Sequence, residues 1–523
     1  MCYQKNVIKL NKCILASFTI LSLLSISFLI DCGSSVKTSA TTLTVDDDRM
    51  EYPDANFTTI QEAINNATDG DTIIVYKGTY YENIVINKSV ALLGEDRYST
   101  IVDGNEAGSV ISITADNVSV ERFTIRRSGT HLYSSGIFVE RSDGNHISHN
   151  AITNNNYGIN LYYSNDNLIS DNTITDNNDG VSLYSSINNA ISDNNITDNY
   201  NGIIFYYSTN DVVSLNTLME NDYGILLFDS SNNVFFHNNL VKNNQQAYTY
   251  NSINLWGHGN EGNYWSDHTG VDIYSGPYRN ETGSDGISDS AYIITPPSTP
   301  IKRIQVDSYP LMGTFYDLTA TLDSKTYHIN TICNSTISEF RFEIGPETGN
   351  KIICFNITGK DNGFCRVMIP TELMKYPYVV LIDEEEIVPT RIHHVSNETH
   401  VYLYFTYVHS SHTITIISSK TLRLYDELLG KYVQLNATYS RLLKDYSLLL
   451  DNYSKLQESY NELTSSVQEH LLDYSKNVSN TLNLVYIFAA TTAIFIITTI
   501  YLSKHAHASK RKIFEDVQER RTV

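Results

Sequence analysis

At 523 residues the chain is too long for one ordinary domain and calls for two or three folded units with connectors. Lys+Arg 36 against Asp+Glu 58 gives a formal net charge of −22, which argues against nucleic acid or anionic lipid as a partner, since both need a cationic surface. Charged residues make up only 18% and Tyr reaches 38, unlike a disordered chain, and six cysteines over this length are too few for a disulfide-framework miniprotein.

Residues 1–40 read as a signal peptide or an N-terminal signal anchor. Lys5, Lys9 and Lys12 precede an apolar run over 13–30, and small residues follow at Ser39 and Ala40. Asp31 before Cys32 argues against a lipoprotein cleavage site. Residues 41–135 begin with an amphipathic helix over 58–67, with a capping box at Thr59 and Glu62 and an apolar face of Ile60, Ala63, Ile64 and Ala67. Short alternating strands follow without a strict period. A helix placed before them is suited to cover the open end of a sheet.

From 136 to 250 a strict repeat takes over. Gly136, Gly158, Gly180, Gly202 and Gly224 are each 22 residues apart. Two Asn columns, 150/172/194/216/238 and 155/177/199/221/243, and a Ser column, 142/164/186/208/230, keep the same spacing, as do apolar columns such as Ile137/Ile159/Val181/Ile203/Ile225. Apolar residues alternate within each unit, and no helix-length pattern appears. Three short strands and three turns per unit make one rung of a parallel β-helix. Asn and Gly suit the turns because both tolerate left-handed backbone, and Asn columns are suited to hydrogen-bond from rung to rung.

Residues 251–313 close the solenoid. The stretch from 43 to 313 resembles the NosD-type, pectin-lyase-like right-handed parallel β-helix of periplasmic and archaeal surface proteins. The resemblance rests on TIQEAI at 59–64, GDTIIVYKGTYYENI at 70–84, the Asn/Gly repeats, GNYWSDHTG at 262–270 and DSYPLM at 307–312. It implies the fold and leaves function open, because that scaffold hosts lyases, hydrolases, binding proteins and copper-maturation factors.

Residues 314–420 alternate as strands of a small antiparallel β domain, read as a sandwich. It holds Cys333, Cys354 and Cys365, whose pairing the sequence leaves open. Over 421–480 a heptad runs through Tyr425, Tyr432, Tyr439, Tyr446, Tyr453 and Tyr460, with Leu428, Leu435, Leu442, Leu449, Leu456 and Leu463 three residues behind each. That spacing predicts a coiled-coil stalk and a route to a homo-oligomer. Residues 482–502 carry no charge and have the length of a transmembrane helix, and Lys504, Lys510, Arg511 and Lys512 place the tail, 503–523, in the cytoplasm. Everything between the two apolar segments is then extracellular or periplasmic. Sequons such as those at Asn56, Asn117 and Asn334 agree with a glycoprotein exposed outside the cell.

The chemistry of the head divides into three readings. The first is a membrane-anchored surface protein that binds a glycan or a surface-layer component, or has a structural or adhesive role, with no catalysis. The residue four after each repeat Gly has outward parity, which aligns Tyr162, Tyr184, Tyr206 and Phe228 as an aromatic strip suited to the apolar faces of sugars. The second is a polysaccharide hydrolase or lyase. No Lys or Arg occurs between 142 and 241, so a lyase finds no base there. Asp171/Asp193 and Asp176/Asp198 occupy equivalent places on adjacent rungs, about 5 Å apart by strand spacing, near the separation of a retaining carboxylate pair. The third, copper handling, follows from the resemblance alone, with His146 and His149 as ligands. Asp285 and Asp289 around a Gly turn offer oxygen ligands for calcium.

Overall fold

The structure, a computed structural model, describes residues 40–294, 304–359, 362–392, 395–408, 410–418, 420–476 and 481–519. The expected signal segment therefore lies outside the described residues. The chain divides into two compact units, one ending at Lys420 and one beginning at Thr421.

The first unit opens with a parallel β-solenoid of about nine turns. Each regular rung supplies three strands, for instance Tyr157–Tyr162, Leu168–Ser170 and Thr173–Thr175. Stacking them builds three parallel sheets of nine, eight and nine strands. Residues exactly one repeat apart pair in register, as Ile159 does with Val181 and Val181 with Ile203, so every inward column stays apolar and fully buried. The helix Ile60–Asn66 covers the N-terminal end. Thr59 accepts from the Glu62 N–H, Ile60, Ala63 and Ile64 are buried, and Lys88 Nζ donates to the carbonyls of Ile64, Asn65 and Ala67 at its far end.

Polar ladders close the turns. Asn150, Asn172, Asn194, Asn216 and Asn238 each donate both backbone N–H and side-chain Nδ2 to the Oδ1 of the next rung's Asn, at 2.9–3.1 Å, and the column ends on Asn263. The 155/177/199/221/243 column repeats the arrangement. The sequence reading missed a third column, Asn145, Asn167, Asn189, Asp211 and Asn233, although it keeps the same spacing. These buried amides satisfy one another along the stack, which removes the cost of unpaired polar groups.

The turns differ from expectation in where the left-handed residues fall. Neither the ladder Asn nor the repeat Gly adopts positive φ. The residue just before each ladder Asn does: His149, Asp171, Asp193, Leu215 and His237 have φ of 56–63°. The repeat Gly answers a different need. A Cβ on Gly158, Gly180 or Gly202 would stand 2.5–2.6 Å from the carbonyl oxygen of the next rung's Gly, and about 3 Å from an inward side chain. Close backbone approach, not turn geometry, keeps that column Gly.

The motifs at 262–270 and 307–312 clasp the C-terminal end. Asp307 accepts from Asn263 N at 2.7 Å, Trp265 Nε1 at 2.9 Å and Tyr309 N at 3.0 Å, and its carboxylate occupies the space a side chain at Gly262 would need. Two five-stranded antiparallel sheets follow, packed over their own core. They dock on the solenoid's turns. Leu215 and Tyr264 pack against Leu311, Phe315, Ile332 and Phe364, and the His237 ring stacks on Phe315 at 3.9 Å. At this junction Glu261 bridges Arg366 and His237, the latter at 2.8 Å.

The second unit holds a helix of 57 residues, Lys420–Lys476, and the helix Thr481–Glu519. The heptad Tyr and Leu side chains of the first are exposed along its length, Tyr425 at 61% and Leu428 at 66% among them. Among the described residues no helix is long and apolar enough to cross a membrane. The expected span, 482–502, falls partly outside the described residues, since the side chains of 482–487 are not among them.

Candidate functional site

Strand parity brings the predicted aromatic column together. Tyr162, Tyr184, Tyr206 and Phe228 pair in register on the outer face of the eight-stranded sheet, and all four are half-buried. Their ring centroids follow one another at 5.2, 6.4 and 5.3 Å. Tyr133 continues the strip at one end, 5.1 Å from Tyr162, and Tyr250 at the other, 6.4 Å from Phe228. The spacing exceeds the strand spacing of about 4.8 Å because flat rings slide and tilt to avoid face-to-face repulsion.

Two further rings, Tyr163 and Tyr207, were missed by parity. Each begins a turn in left-handed conformation, φ 52° and 55°, so it stands beside the ring before it and not on the opposite face. Tyr163 meets Tyr162 edge-on at 4.6 Å, Tyr207 meets Tyr184 edge-on at 5.8 Å, and they are 43% and 54% exposed. The Tyr-Tyr doublets at 162–163 and 206–207 are the signal that could have found them. Arg141 lies over the Tyr163 ring at 5.5 Å.

The strip forms one wall of a trough. Asn160, Ser182, Ile204 and Leu226 share the outward parity of the rings and form the floor. Ile204 and Leu226 are buried but lie outside the solenoid's core cluster, as a floor beneath flanking side chains would be. Tyr157, Asp179, Asn201 and Tyr223 pair in register at the start of the same strands, with Tyr157 and Asp179 within electrostatic reach of Tyr206. Asp179 accepts from Asn201 Nδ2 at 2.6 Å, and the Asn201 Oδ1 is buried without a partner. Burial raises the Asp179 carboxyl above the usual carboxylate range, against the hydrogen bond from Asn201. Desolvation likewise raises the Tyr162, Tyr184 and Tyr206 hydroxyls, which keeps them neutral donors at physiological pH.

The paired carboxylates separate into two environments. Asp176 and Asp198 occupy exposed left-handed turn positions, φ 57° and 56°. Asp171 and Asp193 occupy the turn that faces the sandwich, near its first hairpin, where the His328 ring nitrogen lies 2.8 Å from Asp317. Desolvation, then the negative charges of Asp171 and Asp317, push the Asp193 carboxyl up to about 6, and His328 pulls it down; the residue itself remains exposed. A carboxyl raised by burial and by its acidic neighbours, with an imidazole nearby, supplies parts of an acid–base site.

His146 Nε2 lies 3.4 Å from Ser170 Oγ, and His149 occupies an exposed turn. Asp285 accepts from Ile287 N and Gly276 N, and Asp289 accepts from Ile273 N and Tyr274 N, so both carboxylates cap turns of the closing loop. Among the described residues, the group of three acidic or metal-binding side chains close enough to share an ion is Asp46, Asp48 and Glu51, and neither expected set belongs to it. An all-carboxylate group is no copper site, since copper favours His, Met and Cys.

Comparison with known proteins adds a family match, one relative and two similar structures. Residues 64–270 match the family described as "Periplasmic copper-binding protein (NosD)". Over 101 residues the chain is 41% identical to a "Cell surface glycoprotein" of Methanothermus fervidus; the match covers 19% of this chain and 16% of that protein. Among solved structures, a complex of XylC with xylose is similar over 46% of this chain and 73% of its own, at 11% identity and a TM-score of 0.33. A pectin methylesterase in complex with a hexasaccharide is similar over 40% and 81%, at 14% identity and a TM-score of 0.26.

Proposed function

We propose that this chain is a cell-surface protein whose solenoid binds a neutral glycan along the aromatic trough. The observation that carries the reading is the strip itself. Six rings from Tyr133 to Tyr250 follow one another on one outer face, and Asn201 Oδ1, at the start of one of the same strands, lacks a partner. Aromatic faces accept the C–H faces of sugar rings, and the flanking amide and hydroxyl groups suit sugar hydroxyls. The absence of Lys and Arg from 142 to 241 disfavours polyuronates. The surface location draws support from the similarity to a surface glycoprotein and to a periplasmic family. The uncharged run 482–502 with its basic followers is proposed as the anchor, and the exposed Tyr/Leu column of the long helix as the seam of a homo-oligomer.

A glycan array probed with the purified chain tests the reading. Replacing Tyr162, Tyr184 and Tyr206 together by Ser is expected to abolish binding. The fold should survive, with a stability loss of about 0.5–1.5 kcal/mol per lost ring pair. Undiminished binding in a variant with unchanged circular dichroism would sink the trough as the site.

A second reading, glycoside hydrolysis, is favoured by one observation: the Asp193 carboxyl at about 6, next to Asp171 and the Asp317–His328 pair. In that reading Asp193 is the general acid and Asp171 the nucleophile. Release of reducing ends from a neutral polysaccharide, lost in Asp193→Asn but retained in the Tyr triple variant, would move the function from the trough to this turn.

A further inference from the structure

Cys333 ends the strand Lys325–Cys333, and Cys365 lies within Gly363–Pro370. The strands are antiparallel neighbours with Cys333 directly opposite Cys365. Such partners hold their Cα atoms about 4.5–5.5 Å apart, inside the roughly 4.4–6.8 Å that a disulfide spans. Both residues are fully buried thiols in the sandwich core, with sulfurs 3.0 Å apart. Cys354 belongs to the other sheet, where its sulfur lies 3.5 Å from Arg341 Nη2 and 3.9 Å from Thr415 Oγ1.

We propose that Cys333 and Cys365 form a cross-strand disulfide when the domain folds in an oxidising compartment, while Cys354 stays a thiol. The compartment rests on the surface reading above; the pairing rests on register alone. Oxidation needs a disulfide-bearing donor such as oxidised glutathione or an oxidised dithiol protein. The Cys333 thiolate attacks one donor sulfur and releases a donor thiolate. Cys365 then loses its proton, attacks the Cys333 sulfur of the mixed disulfide and releases the second donor thiol. Two protein thiols are oxidised and one donor disulfide is reduced to two thiols.

The two thiols differ in the folded domain. Hydrogen bonds from Cys365, then from the Tyr407 hydroxyl at 3.3 Å and the Ser335 N–H at 3.4 Å, lower the Cys333 thiol against the effect of burial. Burial raises the Cys365 thiol. Because both sulfurs are buried, exchange accompanies folding and does not act on the finished domain.

The test refolds the full chain from guanidinium in a glutathione redox buffer, alkylates free thiols under denaturing conditions and maps the peptides by mass spectrometry. The expected result is one linkage, Cys333 to Cys365, with Cys354 alkylated. Dithiothreitol added during refolding should then lower the unfolding midpoint by several degrees, and Cys354→Ser should leave the linkage in place. A linkage that contains Cys354 or any of Cys2, Cys13 and Cys32, or alkylation of both Cys333 and Cys365, overturns the proposal. A parallel sample alkylated in intact cells separates the two premises. Free Cys333 and Cys365 there, beside a linked refolded chain, would overturn the oxidising location and leave the pairing standing.

Discussion

Asp211 stands in a column where the neighbouring rungs carry Asn. Its Oδ1 does what an amide oxygen does, accepting from Asn189 N at 2.7 Å and Nδ2 at 3.0 Å. Where Asn would offer an NH2 group, Asp211 has Oδ2, buried and unpartnered. Burial pushes the carboxyl up to about 8, against the two hydrogen bonds from Asn189. The folded chain therefore holds a proton that the unfolded chain releases near pH 4. Proton binding in the folded state exceeds that in the unfolded state between those values, so stability falls as pH rises from about 4 to about 8, by up to ~1.4 kcal/mol per pH unit. Asp211→Asn removes the titrating group and restores the amide donor. We expect its unfolding midpoint to exceed the parent's at pH 8 and to converge on it near pH 4, measured by scanning calorimetry across that range. An unchanged pH profile would show that Asp211 reaches solvent or a donor.

At the scale of the element, the rung is the unit of exchange. Every inward column, each ladder Asn and the close Gly-to-Gly approach repeat at the same interval, so neighbouring rungs offer one another the same surface. Removing the 22 residues 158–179 deletes one complete rung and rejoins equivalent positions. A folded, shorter head is the expected product. Removing half as many residues sets turn positions against buried apolar columns and breaks the ladders, so that variant should be insoluble or molten. Circular dichroism and proteolysis of the two deletions check this, and equal stability would contradict the rung assignment.

At the scale of the molecule, the proposed topology puts the solenoid and sandwich outside the cell and the tail from Lys504 inside. Protease applied to intact cells is expected to release the head while an epitope on the tail stays protected until the membrane is permeabilised. Digestion of the tail in intact cells would refute the anchor. The sandwich should leave with the solenoid as one fragment, because Leu215, His237 and Glu261 tie the two together through an apolar cluster and a buried ion pair. Burial would raise the Glu261 carboxyl, but Arg366 and His237 outweigh it and hold it at about 2.

The solenoid was legible in the sequence because each rung meets a copy of itself, so its packing is written as a period. The outward place of Tyr162, Tyr184, Tyr206 and Phe228 followed from alternation along a strand, which is local geometry. The left-handed turns escaped, since backbone constraint there overrides side-chain preference: Leu215 and Tyr163 adopt positive φ that composition would have assigned to Asn or Gly. Tertiary structure alone decided that Asp193 lies within electrostatic reach of Asp317 and His328, that Glu261 meets Arg366, and that Cys333 faces Cys365 and not Cys354. The first two contacts depend on how the sandwich docks on the turns, and the third on how its strands pair across an intervening hairpin. Neither relation repeats along the chain, so no periodicity records it.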